Sequence, residues 1–443
     1  MTQKPQRVQN DAMTAREMTA DEAISHLRPT DSLGFGLITA TPTALFEALS
    51  RRTDWENLTI CGGLSVGNYG VFMHPNVHYK CQFFGGADRT YKANGANVEF
   101  IPSFFRHYGL MMPRLGIRNM VLMGSMPDEN GNVSASLYNG ATLGECLAAG
   151  RDPNRLLIVE CSPHYPRTLP LDGHMNTINV KDIDIIVYSD NKPAALANPD
   201  PTPEEVAIAN FASRYIKDGA TLQTGIGAVP NAVAIKLAEG DGGDYGIHSE
   251  MFTDGLMKLM QQGKVTNQRK AINRGKSVIT FAAGSAEMYE YLHENEDIGV
   301  APVTYTNDPH VINQNSNMVC INSALEVDLL GQLAAESIGL RQFSGVGGHQ
   351  DFIEGTSLSL EHVSLVCLLS TTTVKGELKS RITPTMTTNS AVTSPRQLAG
   401  VIVTEFGAVD LRAKSVRERA ELLSTIAHPN FRDELMASAK KMG

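Results

Sequence analysis

Gly246-Ile247-His248-Ser249-Glu250-Met251-Phe252-Thr253-Asp254-Gly255 starts like a strand, carries one carboxylate, and then bends at Asp254-Gly255. Side chains alternate along a strand, so His248 and Glu250 share a face if the strand continues between them. Taken alone, a single glutamate reads as an ordinary surface residue. Two other stretches change that reading. Upstream stands Gly225-Ile226-Gly227-Ala228-Val229-Pro230, and downstream stands Gly345-Val346-Gly347-Gly348. Both can present backbone N–H groups to an oxygen anion. A carboxylate nucleophile near two donor loops is what acyl transfer onto a side chain requires.

The surroundings of this stretch occur twice. Residues 204–216 have helical spacing at Val206, Ala209 and Ile216, and residues 220–223 read as a strand. The Gly225 turn follows, Pro230 opens a helix, and the next strand begins at Gly246. Earlier, residues 19–27 form a helix candidate, with Asp21 and Glu22 in its first turn, where negative charge suits the helix dipole. Residues 32–37 read as a strand ending in small residues, Pro42 opens a helix, and residues 58–61 read as the next strand. The step from Pro42 to Ile60 is 18 residues, and from Pro230 to Ile247 it is 17. This syntax predicts a duplicated chain. Only the later copy places a glutamate after its strand; the earlier one has Cys61-Gly62-Gly63.

Pro193, Pro199, Pro201 and Pro203 mark a boundary between the copies. It divides the chain into expected domains 1–195 and 204–443. Near-continuous apolar runs at 119–123, 155–160, 182–188, 277–281, 362–369 and 400–404 suit parallel strands covered on both faces. With helices between them they imply an open α/β sheet in each half. Ligands bind beyond the carboxyl ends of strands in such sheets, which is where the Gly-rich loops and Glu250 fall.

Composition sets the outer limits. The 443 residues are 42% hydrophobic and 19% charged, as in soluble globular proteins. A net charge of −9 without a basic block argues against nucleic acid as a partner and leaves room for a local basic pocket holding an anionic cofactor. No apolar run is long enough for a membrane span, and residues 1–11 lack a signal-peptide core. The six cysteines are scattered with no C-x-x-C, which fits buried thiols in a reducing compartment rather than a metal site or disulfide framework.

The individual motifs differ in weight. Gly225-Ile226-Gly227 lacks the third glycine of a dinucleotide fingerprint, so it is either a tight turn or an anion-binding helix start. Three glycines within Gly345-Val346-Gly347-Gly348 let a backbone approach a ligand closely. Glu326 and Asp328 are alternative acids for the role of Glu250. His248 has no further ligands at metal-site spacing and reads as structural or as supporting the glutamate. Ser249 has no triad partners that the sequence identifies.

Several of these elements occur together and in order. They are Gly225 to Pro230, the Gly-Ile-His-Ser-Glu-Met element ending at Met251, Tyr305-Thr306-Asn307-Asp308-Pro309, Ile321-Asn322-Ser323, Gly345 to Phe352, and Val403-Thr404-Glu405-Phe406-Gly407. Together they resemble the acetyl-CoA hydrolase/transferase family, and within it the 4-hydroxybutyrate and butyrate:acetate CoA-transferase branch. The resemblance implies two similar open-sheet α/β domains of CoA-transferase type facing across a cleft. It implies an acyl-CoA:carboxylate CoA-transferase with Glu250 as nucleophile and a glutamyl-CoA thioester intermediate, the alternative being an acyl-CoA hydrolase. It places coenzyme A against Gly225, Ile226, Gly227, Ala228, Val229, Leu325, Gly347, Gly348 and Lys379. It further implies short-chain carboxylate substrates, no metal, and a cytoplasmic homo-oligomer. A non-catalytic sensor of CoA or a sugar phosphate is the reading from another class. The chain departs from the family pattern at His349-Gln350, at Cys161 to Tyr165, and near Ser357 to Leu360. These departures concern the choice of acyl group more than the chemistry.

Overall fold

The computed structural model describes residues 15–138, 140–196, 200–225 and 227–442. The chain divides into two compact units. Unit 1 comprises residues 1–196 and 280–305, and unit 2 comprises 197–279 and 306–443. The expected consecutive blocks, 1–195 and 204–443, therefore miss a return: residues 280–305 belong with unit 1. Backbone pairing accounts for it. Leu171 N donates to Val300 O at 2.9 Å, and Gly140 N donates to Thr280 O at 2.9 Å. Main-chain pairs between such distant segments leave no trace in composition.

Unit 1 is built on a parallel sheet. Its strands are β1 (Arg16–Glu17), β2 (Ser32–Gly34), β3 (Leu58–Gly62), β4 (Val77–Cys81), β5 (Val98–Phe100), β6 (Asn119–Gly124), β7 (Leu157–Cys161) and β8 (Ile185–Tyr188). They lie in the order β1-β8-β7-β6-β2-β3-β4-β5, with every neighbouring pair parallel. Within unit 2, β9 (Thr221–Thr224), β10 (Gly246–Phe252), β11 (Met318–Ser323), β12 (Val363–Cys367) and β13 (Val401–Thr404) run β10-β9-β11-β12-β13, also all parallel. An antiparallel strand, β14 (Gly407–Asp410), follows β13 at the edge. All six residues of β6 are buried, which its unbroken apolar run anticipates.

The duplication is visible in topology. In each unit a first strand (β2, β9) has the second (β3, β10) on one side and a later one (β6, β11) on the other. That reversal is a switch point, and the loop leaving the first strand opens there.

Local signals set the helix ends. Thr202 and Glu205 form a capping box before Pro203–Ala212, and Ser415 and Glu418 form one before Val416–Thr425. The first of these helices stops at Ala212 and tightens into the 3-10 turn Ser213–Tyr215, and Val206 is 41% exposed rather than in the core. Pro230 lies in the first turn of Ala228–Glu239, where its missing N–H costs nothing.

Unit 1 copies the architecture without the carboxylate. A Cβ added to Gly62, at the end of β3, would overlap the Phe35 ring. Phe35 packs with Phe46, Phe72 and Tyr79 in the unit 1 core. Gly63, three residues after Ile60 as Glu250 is after Ile247, lies against the neighbouring backbone instead: a Cβ added there would be 2.7 Å from Phe83 N. Gly62→Ala should lower unfolding free energy by about 1–3 kcal/mol, as overpacked cores do. Denaturant titration of the purified protein checks this, and an unchanged midpoint would mean that Phe35 repacks freely.

Candidate active site

β10 continues unbroken through Glu250 to Phe252. Alternation then sorts its side chains. Ser249 Oγ donates to Met251 O at 2.7 Å and lies near Thr224 of β9, so it serves the sheet and not a triad. His248 is fully buried, and its Nε2 donates to Thr306 O at 2.8 Å. Burial, with the nearby Lys270 charge adding to it, pushes the His248 pKa down to about 3. The ring is thus neutral with its proton on Nε2, and its role is structural.

Lys270 braces the same strand. Its Nζ donates to Ile247 O at 2.8 Å and to Lys276 O at 2.7 Å, and burial lowers its pKa to about 7. Its stem passes so close to Gly246 that an added Cβ there would lie 2.6 Å from Lys270 Cγ.

Two residues beyond His248, Glu250 meets the residue after Thr306. Asn307 Nδ2 donates to Glu250 Oε2 at 2.6 Å and to Asp351 Oδ2 at 3.0 Å. Asn307 and Asp351 are fully buried, while Glu250 keeps partial access to solvent. Asp351 stands in the first turn of the helix His349–Ser357, whose N-cap is Gly348. A Cβ on Gly348 would overlap Glu250 Oε2 and come within 2.5 Å of Asn307 Nδ2. Gly347, at φ +54°, turns the chain into this close approach. Burial chiefly, with the Asp351 charge adding and the Asn307 hydrogen bond opposing, raises the Glu250 pKa to about 8.

The other expected positions divide. β9 is the parallel neighbour of β10, pairing Thr221 with Gly246, so the loop after β9 opens at the same sheet edge as Glu250. Gly225 lies in that loop, with nothing within 4 Å of an added Cβ. Gly227, at φ +124°, caps Ala228–Glu239, so Ala228 and Val229 supply first-turn N–H groups that have no partner within the helix. Ile226 lies outside the described residues. Leu325 is half-buried between β11 and the strand Glu326–Asp328, with its N–H given to Ala334 O. Lys379 sits on the exposed hairpin Thr371–Val374/Glu377–Ser380 and pairs with Glu377 at 2.6 Å, so no contact among the described residues joins it to the Glu250 group.

The alternative acids are occupied. Glu326 accepts from Thr383 Oγ1, Thr387 N and Thr387 Oγ1. Asp328 accepts from the Leu330 and Gln332 N–H groups and from Gln332 Nε2. Both hold turns, whereas Glu250 Oε1 accepts no hydrogen bond among the described residues. His349-Gln350 has a structural use: Ser394 Oγ donates to Gln350 Oε1 at 2.6 Å and lies 3.1 Å from His349 Nε2. With the hydroxyl proton spent on Gln350, His349 is the donor to Ser394.

Asn307 and Asp351 lie within the segments Tyr305 to Pro309 and Gly345 to Phe352, but no local signal gives either residue a role. They stand 57 and 44 residues from the groups they meet, so no spacing rule joins them. No group of three or more His, Cys, Asp or Glu able to hold a metal occurs among the described residues, and no helix there is long and apolar enough to cross a membrane.

Paired α/β units with a half-buried glutamate at a strand end define a CoA-transferase-type fold, and comparison with known proteins gives its family. Residues 284–439 match the acetyl-CoA hydrolase/transferase C-terminal domain. The chain is 36% identical over 438 residues to butyryl-CoA:acetate CoA-transferase of Anaerostipes caccae, covering 96% of this chain and 95% of the relative. It is 37% identical over 431 residues to 4-hydroxybutyrate coenzyme A transferase of Clostridium kluyveri, covering 96% and 97%. Among solved structures, RipA from Yersinia pestis superposes with a TM-score of 0.87 at 34% identity, covering 96% of this chain and 97% of that one. The chain belongs to the acetyl-CoA hydrolase/transferase family.

Gly348→Ala should push the Glu250 carboxylate off its position. A misplacement of about 1 Å at a reacting group costs on the order of 10²-fold in rate. Steady-state turnover of acyl-CoA should fall by that order while the circular dichroism spectrum stays as in the wild type; normal turnover in a folded variant would reduce the loop to a simple turn.

Proposed function

We propose that Glu250 is the nucleophile of this chain's acyl-CoA:carboxylate CoA transfer and carries CoA as a glutamyl thioester. CoA transfer itself rests on full-length likeness to CoA-transferases. The observation that supports the nucleophile is the carboxylate geometry: Asn307 holds Oε2, Gly348 offers no side chain in front of it, and Oε1 accepts no hydrogen bond among the described residues.

The chemistry follows from those atoms. Glu250 Oε1 attacks the thioester carbonyl carbon. The C–S bond breaks, CoA leaves as thiolate with the electron pair, and a mixed anhydride remains. The thiolate then attacks Glu250 Cδ. The Cδ–Oε1 bond breaks, Oε1 departs within the released carboxylate, and Glu250 becomes a thioester whose carbonyl oxygen is Oε2. At that second tetrahedral centre the negative charge falls on Oε2, where the Asn307 N–H already points. Donors on the Gly225 and Gly345 loops serve the first centre, on the acyl carbon. A second carboxylate runs the steps backward. Every step is a substitution at an acyl carbon, so nothing is oxidised or reduced. The six cysteines, all buried free thiols, suit a cytoplasmic setting.

Incubation with an acyl-CoA and no acceptor should add the mass of one CoA less one water to the protein. Peptide mapping should place it on Glu250, and borohydride should convert that residue to an alcohol. An adduct mapped to Glu326, or steady loss of thioester with no adduct and no use for an acceptor acid, contradicts the proposal.

The raised Glu250 pKa also sets a pH dependence. The folded protein holds this proton more tightly than an ordinary glutamate, and only the deprotonated carboxylate attacks. Below a pH of about 8, kcat/KM for acyl-CoA should rise about tenfold per pH unit, and it should level off above, because kcat/KM reports the free enzyme. A profile already flat from pH 5.5 upward, on the order of one unit above an unperturbed glutamate, would show that burial does not govern this carboxyl.

A further inference from the structure

We propose that Asp351 is a positioning residue that keeps the Asn307 amide turned with its N–H group toward Glu250 at every stage of turnover. The inference rests on Glu250 being the nucleophile. A primary amide has a donor end and an acceptor end, and exchanging them costs only the hydrogen bonds it makes. Asn307 Nδ2 has two hydrogens and two acceptors, Glu250 Oε2 at 2.6 Å and Asp351 Oδ2 at 3.0 Å. Both hydrogens are therefore used.

Glu250 cannot hold that orientation by itself. During turnover it is a carboxylate, then an anhydride, then a thioester. With its pKa raised to about 8, it is also a protonated acid over much of the neutral range. As an acid its O–H can donate to Asn307 Oδ1, which favours the opposite orientation. Asp351 undergoes no such change. A carboxylate only accepts, so a reversed amide would set Oδ1 against it in a fully buried place.

Asp351 is itself firmly placed. It follows Gly348 in the first turn of His349–Ser357. Phe352, next in the chain, is buried with Ile312, Met318 and Cys320. His349 and Gln350, just before it, join Ser394. The consequence for catalysis is local. A reversed amide would put a lone pair beside Oε2 as charge gathers there, and loss of one such donor costs about 10²- to 10³-fold in rate.

The experiment is a cycle of four proteins: wild type, Asp351→Ala, Asn307→Ala and the double variant. Steady-state CoA transfer, thermal melting and the rate of CoA loading on Glu250 by intact mass are measured on each. Asp351→Ala should lower kcat by about 10- to 100-fold, the cost of a disordered catalytic contact, with far less change in KM for acyl-CoA. In the Asn307→Ala background the same change should cost less than about twofold, because residues acting as one unit are not additive. Losses that multiply, or wild-type turnover by Asp351→Ala, would overturn the role. If Asp351→Ala does not fold, Asp351→Asn takes its place in the cycle; it keeps the size but can also donate to a reversed Asn307, and the same non-additivity is expected. Absence of a Glu250 adduct in the wild type would overturn the nucleophile reading, whereas a Glu250 adduct with multiplying losses would overturn only Asp351.

Discussion

Two side chains on one face of one strand organise this site. His248 and Glu250 lie two residues apart on β10, and they reach two consecutive residues, Thr306 and Asn307. A slip of one residue in β10 would send both to the opposite face, so the strand register and the geometry around Glu250 are one constraint. The neutral His248 ring makes the structural half of this contact. Its pKa, pushed down to about 3, keeps it neutral across the range in which Glu250 titrates.

The site holds Glu250 at a cost. Burial favours the protonated form of Glu250, so the folded state binds that proton more tightly than the unfolded chain does. The resulting stability is fully present below the ordinary glutamate pKa of 4.5 and is lost as pH rises through about 8. Above that range the folded protein carries a charged carboxylate with one hydrogen bond from Asn307 and the Asp351 charge nearby. Forming the anhydride and then the thioester proposed above would remove that charge. Gly348 contributes to the same arrangement through absence: with no Cβ, the backbone packs against Oε2.

The two units show how one architecture is kept while its chemistry is lost or gained. Both place a first strand at a switch point with its successor beside it. In unit 1 the successor ends at Gly62 beneath the Phe35 ring; in unit 2 it runs on through Glu250. At Gly63, which matches Glu250 in register, an added Cβ would lie 2.7 Å from Phe83 N, so the backbone leaves no room for a side chain there.

Local chemistry made much of this legible in the sequence. Apolar runs such as 119–123 and 362–369 are strands because burial on both faces demands them. Thr202 with Glu205, Gly227 and Pro230 mark helix starts because each answers the needs of the first turn. The motif residues Glu250 and Gly348 stand together at the site. What the sequence left open has a common cause. Residues 280–305 join unit 1 through backbone pairs with distant segments. Lys379 turns out to pair with Glu377 on an exposed hairpin, a choice of partner that its neighbours do not dictate. Glu326 and Asp328 are engaged by the hydrogen bonds they accept, and Asn307 and Asp351 join the Glu250 group through contacts 57 and 44 residues away in the chain. Periodicity and capping are properties of neighbouring residues, and the sequence by itself determined those. Which carboxylate is free, which amide holds it and what holds that amide depend on long-range packing, and only the tertiary structure decided them.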